Sequence, residues 1–266
     1  MIAGLPMYDF PWIAPALDEF WEELSAKLRR AGLEAPATLS RGPPIDELWR
    51  DPELILGQTC GYPYWKSLRD RVVLIATPTY DFEGCEGPRH CSFLVARRGE
   101  PRGELADFRG ARAAINAYDS NTGMNLFRAV VAPLAEGRPF FKEVVVTGAH
   151  AFSLAAVAEG AADIAAIDCV SFALLRRGRP EMVERAQILA RSPSSPGLPF
   201  IASAAFSRKT IETIRRCLFE TLADVRLVEA LAALGLTGAE VLEPEAYKRA
   251  SELEDAAITL GYPALS

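Results

Sequence analysis

Ser120-Asn121-Thr122-Gly123 stands between an apolar run, Ala113 to Ala117, and an amphipathic run that begins at Met124. The first amides of a helix have no internal partners and carry the positive end of the dipole, so hydroxyl and amide residues there can bind the oxygens of an anion. The bland alternative is that one of them only caps the helix, worth about 1 kcal/mol. His150, one of two histidines, follows Gly148-Ala149 after another apolar run and can donate one hydrogen bond when neutral or two when charged. Asp168 follows the run Ile164 to Ile167. It either caps the next helix or meets a ligand; a carboxylate there would repel a naked dianion and favour a zwitterion such as an aminoalkyl phosphonate.

Tyr8, Tyr62 and Tyr80 each stand at the end of an expected strand. They read either as core-edge tyrosines or, together, as an aromatic wall around a small guest. His90, between Arg89 and Cys91, reads as a surface or hinge residue. There is no glycine-rich P-loop, no H-E-x-x-H and no C-x-x-C, so no metal, cofactor or catalytic residue is assigned. No cysteine stands at a helix start beside an evident base, which removes the simplest thiol-nucleophile scheme. Five cysteines do not make a disulfide framework in a chain of 266 residues, although Cys60, Cys85 and Cys91 lie close enough in sequence for one bridge among them.

The elements that must position these residues follow from periodicity. Trp12 to Ala31 places Leu17, Phe20, Trp21, Leu24 and Leu28 on one helical face, and Gly32 ends it. Strands are expected at Pro36 to Leu39, Leu54 to Leu56, Val72 to Ala76 and Ser92 to Ala96, with a short helix over Ile45 to Trp49. A second series alternates strand Ala113 to Ala117, helix 124 to 135, strand Val144 to Thr147, helix Phe152 to Glu159, strand Ile164 to Ile167 and helix Val170 to Arg176. Such alternation implies α/β architecture with mostly parallel sheets flanked by helices. Strand Phe200 to Ala204, a helix capped by Ser207, a helix ended by Gly235 and a helical segment from Pro244 to Leu260 complete the series. The charged stretch 97 to 107 and the Pro/Ser-rich stretch 192 to 199 read as crossings between two lobes. The expected division is 1–96 plus 198–266 as the first lobe and 97–197 as the second.

Half of the residues are apolar and 24% are charged, with a net charge of −6 and no basic block, which argues against nucleic acid as a partner. No run approaches the roughly 20 apolar residues of a membrane span, so direct membrane insertion is not expected. The N-terminus has no basic head followed by an apolar signal core. The expectation is cytoplasmic for the chain as it stands, or periplasmic if a leader was removed.

Three stretches together carry a family likeness: Asp119-Ser120-Asn121-Thr122-Gly123, Gly148-Ala149-His150, and Ala156-Val157-Ala158-Glu159-Gly160-Ala161-Ala162-Asp163-Ile164-Ala165-Ala166-Ile167-Asp168. Over about residues 40 to 210 the sequence resembles the phosphate/phosphonate-type substrate-binding proteins of ABC importers. The resemblance implies a two-lobed type II periplasmic-binding fold with a ligand cleft between the lobes, and a non-catalytic protein that captures a small oxyanion for uptake or sensing. ABC-importer membrane subunits are the partners it implies. Ser120, Asn121, Thr122 and Gly123 fall on a turn that in similar proteins is Ser-Thr-Ser-Gly and holds phosphonate oxygens. His150 falls on the family's binding histidine, and Asp168 where the family meets the far end of the ligand. Tyr8, Tyr62 and Tyr80 are compatible with the other half of such a site. The alternative is a cytosolic enzyme on the same fold, of lyase or dehydratase type, acting on a small acidic metabolite.

Overall fold

A computed structural model describes all residues from Met1 to Ser266. The chain divides into two compact α/β units, the first made of Met1–Asp81, Glu86–Pro88 and Pro196–Ala246, the second of Phe82–Cys85, Arg89–Ser195 and Tyr247–Ser266.

The first unit is built on a five-stranded sheet in the order Ile2–Gly4, Leu54–Gln58, Phe200–Ser203, Val72–Tyr80, Leu236–Glu240. The first two strands run parallel. Phe200–Ser203 runs antiparallel to both of its neighbours, as does Leu236–Glu240 to Val72–Tyr80. The sheet is therefore mixed. Helix Ala14–Arg30 buries Leu17, Phe20, Trp21, Leu24 and Leu28, the stripe read from the sequence, and packs on helices Arg208–Leu222 and Val228–Leu234. Each fully buried side chain of this kind contributes about 1.5–3 kcal/mol.

Residues 36–39 form no strand. The carbonyl of Pro36 instead accepts hydrogen bonds from Trp21 Nε1 at 3.2 Å and Ser25 Oγ at 2.7 Å, which straps the segment to the first helix.

The second unit has the strand order Ala186–Arg191, Ser92–Arg97, Ile164–Asp168, Arg112–Ile115, Glu143–Val146. The last three are parallel to one another, as alternation predicts, and the first two pair antiparallel. The core joins Leu94, Ile115, Phe127, Val131, Ile164 and Ala166 with Ala257, Tyr262 and Leu265 from the far end of the chain.

The stretch 97 to 107 lies inside this unit. Phe108 at its end is fully buried beneath the Arg102 guanidinium, 4.3 Å from the ring centroid, and Arg102 pairs with Glu100 at 2.7 Å. Its charges mark a solvated edge of a folded unit, which composition alone does not distinguish from a crossing. All five cysteines are free.

Candidate functional site

In the second unit the strands Arg112–Ile115, Glu143–Val146 and Ile164–Asp168 run in one direction, so the turns after them leave the same edge of the sheet. Ligands of open α/β sheets bind at that edge. The three turns lead into Asn121–Asn125, His150–Glu159 and Cys169–Gly178.

The first helix starts earlier than periodicity suggests. Asn121–Asn125 is a single wide turn with i to i+5 bonds, Asn125 N to Ser120 O at 3.0 Å and Leu126 N to Asn121 O, before the regular helix Leu126–Ala135. Such turns are rare and recur at functional sites. Ser120 caps it, its Oγ accepting from Gly123 N at 2.9 Å.

The wide turn is braced from within. Asn121 Nδ2 donates to Ser195 Oγ at 2.9 Å, and Asn121 Oδ1 accepts from Asn125 Nδ2 at 3.0 Å. Asn125 Nδ2 also donates to Ala250 O, and Asn125 Oδ1 accepts from Arg128 Nη2 at 2.6 Å. Arg128 is 3% exposed; it donates to Pro263 O at 2.7 Å and lies 3.5 Å from Glu254. Ser92 Oγ donates to Thr122 O at 2.8 Å.

Gly123 leaves room rather than turning the chain. A Cβ there would come within 1.8 Å of Asn116 Oδ1 and 3.1 Å of His150 Cε1. Only a residue without a side chain lets both groups close on the turn.

His150 is the first residue of its helix, and no side chain caps that helix. Its Nε2 lies 3.0 Å from Thr122 Oγ1, so two strand ends bring a hydroxyl and an imidazole to one point. Burial holds the His150 pKa below 6.5, although the nearby Asp168 charge pulls the other way.

Asp168 caps the next helix, its Oδ1 accepting from Ser171 N at 2.8 Å. Its Oδ2 is 3.1 Å from His90 Nδ1, and both residues are buried. Burial alone would raise the Asp168 pKa; the charge and hydrogen bond of His90, then the charge of His150, hold it below the usual carboxylate range. His90 is thus no surface residue. At 2% exposed it supports a carboxylate, because the strand Ser92–Arg97 carries it alongside Ile164–Asp168, with Ser92 opposite Asp168 in the register. The capping role weighed for Asp168 is realised in the structure.

In the first unit Tyr8 closes a short 3-10 turn, Pro6–Tyr8, and Tyr80 ends the strand Val72–Tyr80. Their rings meet edge to face at 5.7 Å between centroids, and Gln58 Nε2 lies 3.4 Å from Tyr80 Oη. Tyr62 sits in the turn Gly61–Pro63 after strand Leu54–Gln58, with Lys66 Nζ 5.7 Å from its ring centroid.

Sequence reasoning missed Asn116, Asn125, Arg128, Ser92 and Ser195. Two of these carried a signal. Asn125 and Arg128 fall on the buried side of a helix whose other buried residues include Leu126, Phe127 and Val131, and polar groups there must be hydrogen-bonded to persist.

A family model described as the periplasmic phosphonate substrate-binding protein of ABC transporters matches residues 15–247. No curated protein matches the chain. Among solved structures, the binding protein component of an ABC phosphonate transporter from Pseudomonas aeruginosa is similar, with a TM-score of 0.77 at 16% identity, covering 98% of this chain and 87% of that one. A Xanthomonas citri protein bound to chloride ion gives 0.74 at 16% identity, covering 98% of both chains. A Prochlorococcus marinus protein in complex with methylphosphonate gives 0.69 at 14% identity, covering 96% of this chain and 97% of that one. At these identities the likeness to solved structures is one of fold.

Proposed function

Because the chain belongs to the family of periplasmic phosphonate substrate-binding proteins of ABC transporters, a family of binding components and not of enzymes, we propose that it captures a phosphonate or phosphate-like oxyanion for ABC-type uptake or sensing. The observation that carries this reading is the 3.0 Å approach of Thr122 Oγ1 to His150 Nε2 at the edge where three helices begin. A hydroxyl and an imidazole beside the positive end of a helix are the kind of donors an oxyanion needs.

In this reading Thr122 and His150 give their side chains to the oxygens. Ser120 and Asn121, whose side chains are engaged within the turn, serve through its shape and backbone. Gly123 admits the His150 ring. Asp168, already held by His90 and the Ser171 amide, orients and polarises the histidines and is a positioning residue, which weakens the case for a ligand ammonium at that point. Tyr8, Tyr62 and Tyr80 lie in the first unit, where the rings of Tyr8 and Tyr80 pack against each other. The division into lobes that serves this reading follows the contacts, with 82–85, 89–195 and 247–266 as the oxyanion-holding half. The membrane partner is the permease of an ABC importer.

The test is a melting screen of the purified protein against methylphosphonate, an aminoalkyl phosphonate, phosphate, sulfate and dicarboxylates. A ligand at 100 times its Kd adds about 2.7 kcal/mol, a shift on the order of 5 to 10 °C for a chain of this size. A phosphorus oxyanion should give the largest shift. If dicarboxylates shift the melt while no phosphorus oxyanion does, the ligand class is wrong.

A further inference from the structure

Three of the five cysteines meet in the second unit, although they come from positions 85, 91 and 169. Cys85 Sγ lies 3.5 Å from Cys169 Sγ. Cys91 is brought alongside by the backbone: Cys169 N donates to Cys91 O and Cys91 N donates to Gly84 O, both at 3.1 Å. A Cβ on Gly84, whose φ is +90°, would touch Cys169 Cβ and Cys91 Sγ, each at 2.9 Å. Glycine is what allows the 82–85 segment to lie this close to the other two thiols. Cys91 and Cys169 are buried, whereas Cys85 is partly exposed. None of the three thiols is among the side chains proposed to hold the oxyanion.

We propose that Cys85 and Cys169 form a reversible disulfide under peroxide, with Cys85 as the thiol that reacts first. Only Cys85 of the three is open to solvent, and access governs where oxidation begins. The Cys85 thiolate attacks one oxygen of hydrogen peroxide; the O–O bond breaks, Cys85 becomes a sulfenic acid, and the departing hydroxide takes up a proton as water. Cys169 then attacks that sulfur, its S–H proton leaves with the sulfenic hydroxyl as a second water, and the S–S bond forms. Two thiols are oxidised by two electrons in all, and one peroxide is reduced. The sulfurs must close from 3.5 Å to about 2.05 Å.

The hydrogen bond shared with Cys85, then burial, raise the Cys169 pKa against the opposing effect of a hydrogen bond with Cys91. Cys169 is thereby kept as a thiol until a sulfenic acid stands beside it. The bridge closes a loop with ends 84 positions apart, so it restricts the unfolded chain strongly.

The test does not depend on the ligand. Reduced protein is treated with a graded excess of hydrogen peroxide, alkylated under denaturing conditions and mapped by peptide mass spectrometry. The expected product has lost two hydrogens, joins the Cys85 and Cys169 peptides, returns to five alkylatable thiols with dithiothreitol, and melts roughly 5 to 10 °C higher than the reduced form. Cys85→Ser, a change at a partly exposed position, should keep the reduced fold by circular dichroism and lose both the link and the shift; Cys169→Ala should do the same where it folds. Five free thiols after peroxide, a sulfinic acid on Cys85 without a link, or a link from Cys91 to Cys169 would each overturn the proposal.

Discussion

The two corners that carry the candidate site residues are built by opposite means. In the second unit, Thr122, His150 and Asp168 sit in a polar network whose contacts run from 2.6 Å, Arg128 to Asn125, to 3.5 Å, Asp168 N to His150 Nδ1, and the turn is fixed to residues as distant as Ala250 and Pro263. In the first unit, Tyr8 and Tyr80 meet ring to ring, and the polar contact of Tyr80 with Gln58 is long. The first arrangement fixes where donors point. The second sets two aromatic rings edge to face. The first corner is thus organised by directed polar contacts and the second by ring packing.

The sharpest way to break the contrast is Gly123→Val. The added side chain meets Asn116 and His150 head on, so about 3 kcal/mol of stability and all detectable methylphosphonate binding should be lost, measured by urea unfolding and calorimetry. Binding retained at wild-type strength would show that the turn does not face the ligand.

Asp168→Asn keeps the cap acceptor but removes the charge between two histidines. It should cost about 2–3 kcal/mol at pH 7. The pH profile sharpens the point. The His150 pKa is depressed, so its neutral form stabilises the fold fully above pH 6.5, and that contribution is lost as pH falls below it. The Asp168 pKa is also depressed, so its contribution is full above about pH 3.9 and is lost as pH falls through the folded value. The variant should lack the lower phase and show a deeper upper one, because the carboxylate no longer supports a charged His150. An unchanged profile in chemical denaturation would remove Asp168 from the network.

Thr122→Val removes one hydroxyl at nearly constant volume. The unliganded protein should lose about 1 kcal/mol and the affinity for a phosphorus oxyanion should fall about tenfold or more, since the bond to His150 and a donor vanish together. Tyr80→Phe should do least, under about 0.5 kcal/mol in stability, because it keeps the edge-to-face packing on Tyr8 and changes only a half-buried hydroxyl. An effect on affinity larger than that of Thr122→Val would reverse the division of labour between the corners.

The legible parts of the fold were those decided locally. Leu17 to Leu28 mark their helix by spacing, Ser207 caps Arg208–Leu222 through its bond to Thr210 N, and Gly160 ends its helix at φ +81°. The alternation of strands and helices after residue 112 gave the parallel core of the second unit. Positions settled by distant partners were not legible. His90 looked like a surface residue because its flanks are polar, yet register places it against Asp168. Pro36 to Leu39 looked like a strand, and two donors on a neighbouring helix hold it otherwise. Asn125 and Arg128 are passed over by a periodicity search, which scores them as breaks in an apolar face, although a polar residue at a buried helical position is itself a signal.

The wide turn at Asn121–Asn125 is anchored by residues that the chain supplies more than a hundred positions later, through Asn125 to Ala250 and Arg128 to Pro263. A recombinant piece that stopped at Ser195 would therefore present the motif with its scaffolding missing. Anyone grafting this motif into a biosensor would have to carry the helix Arg249–Thr259 along with it.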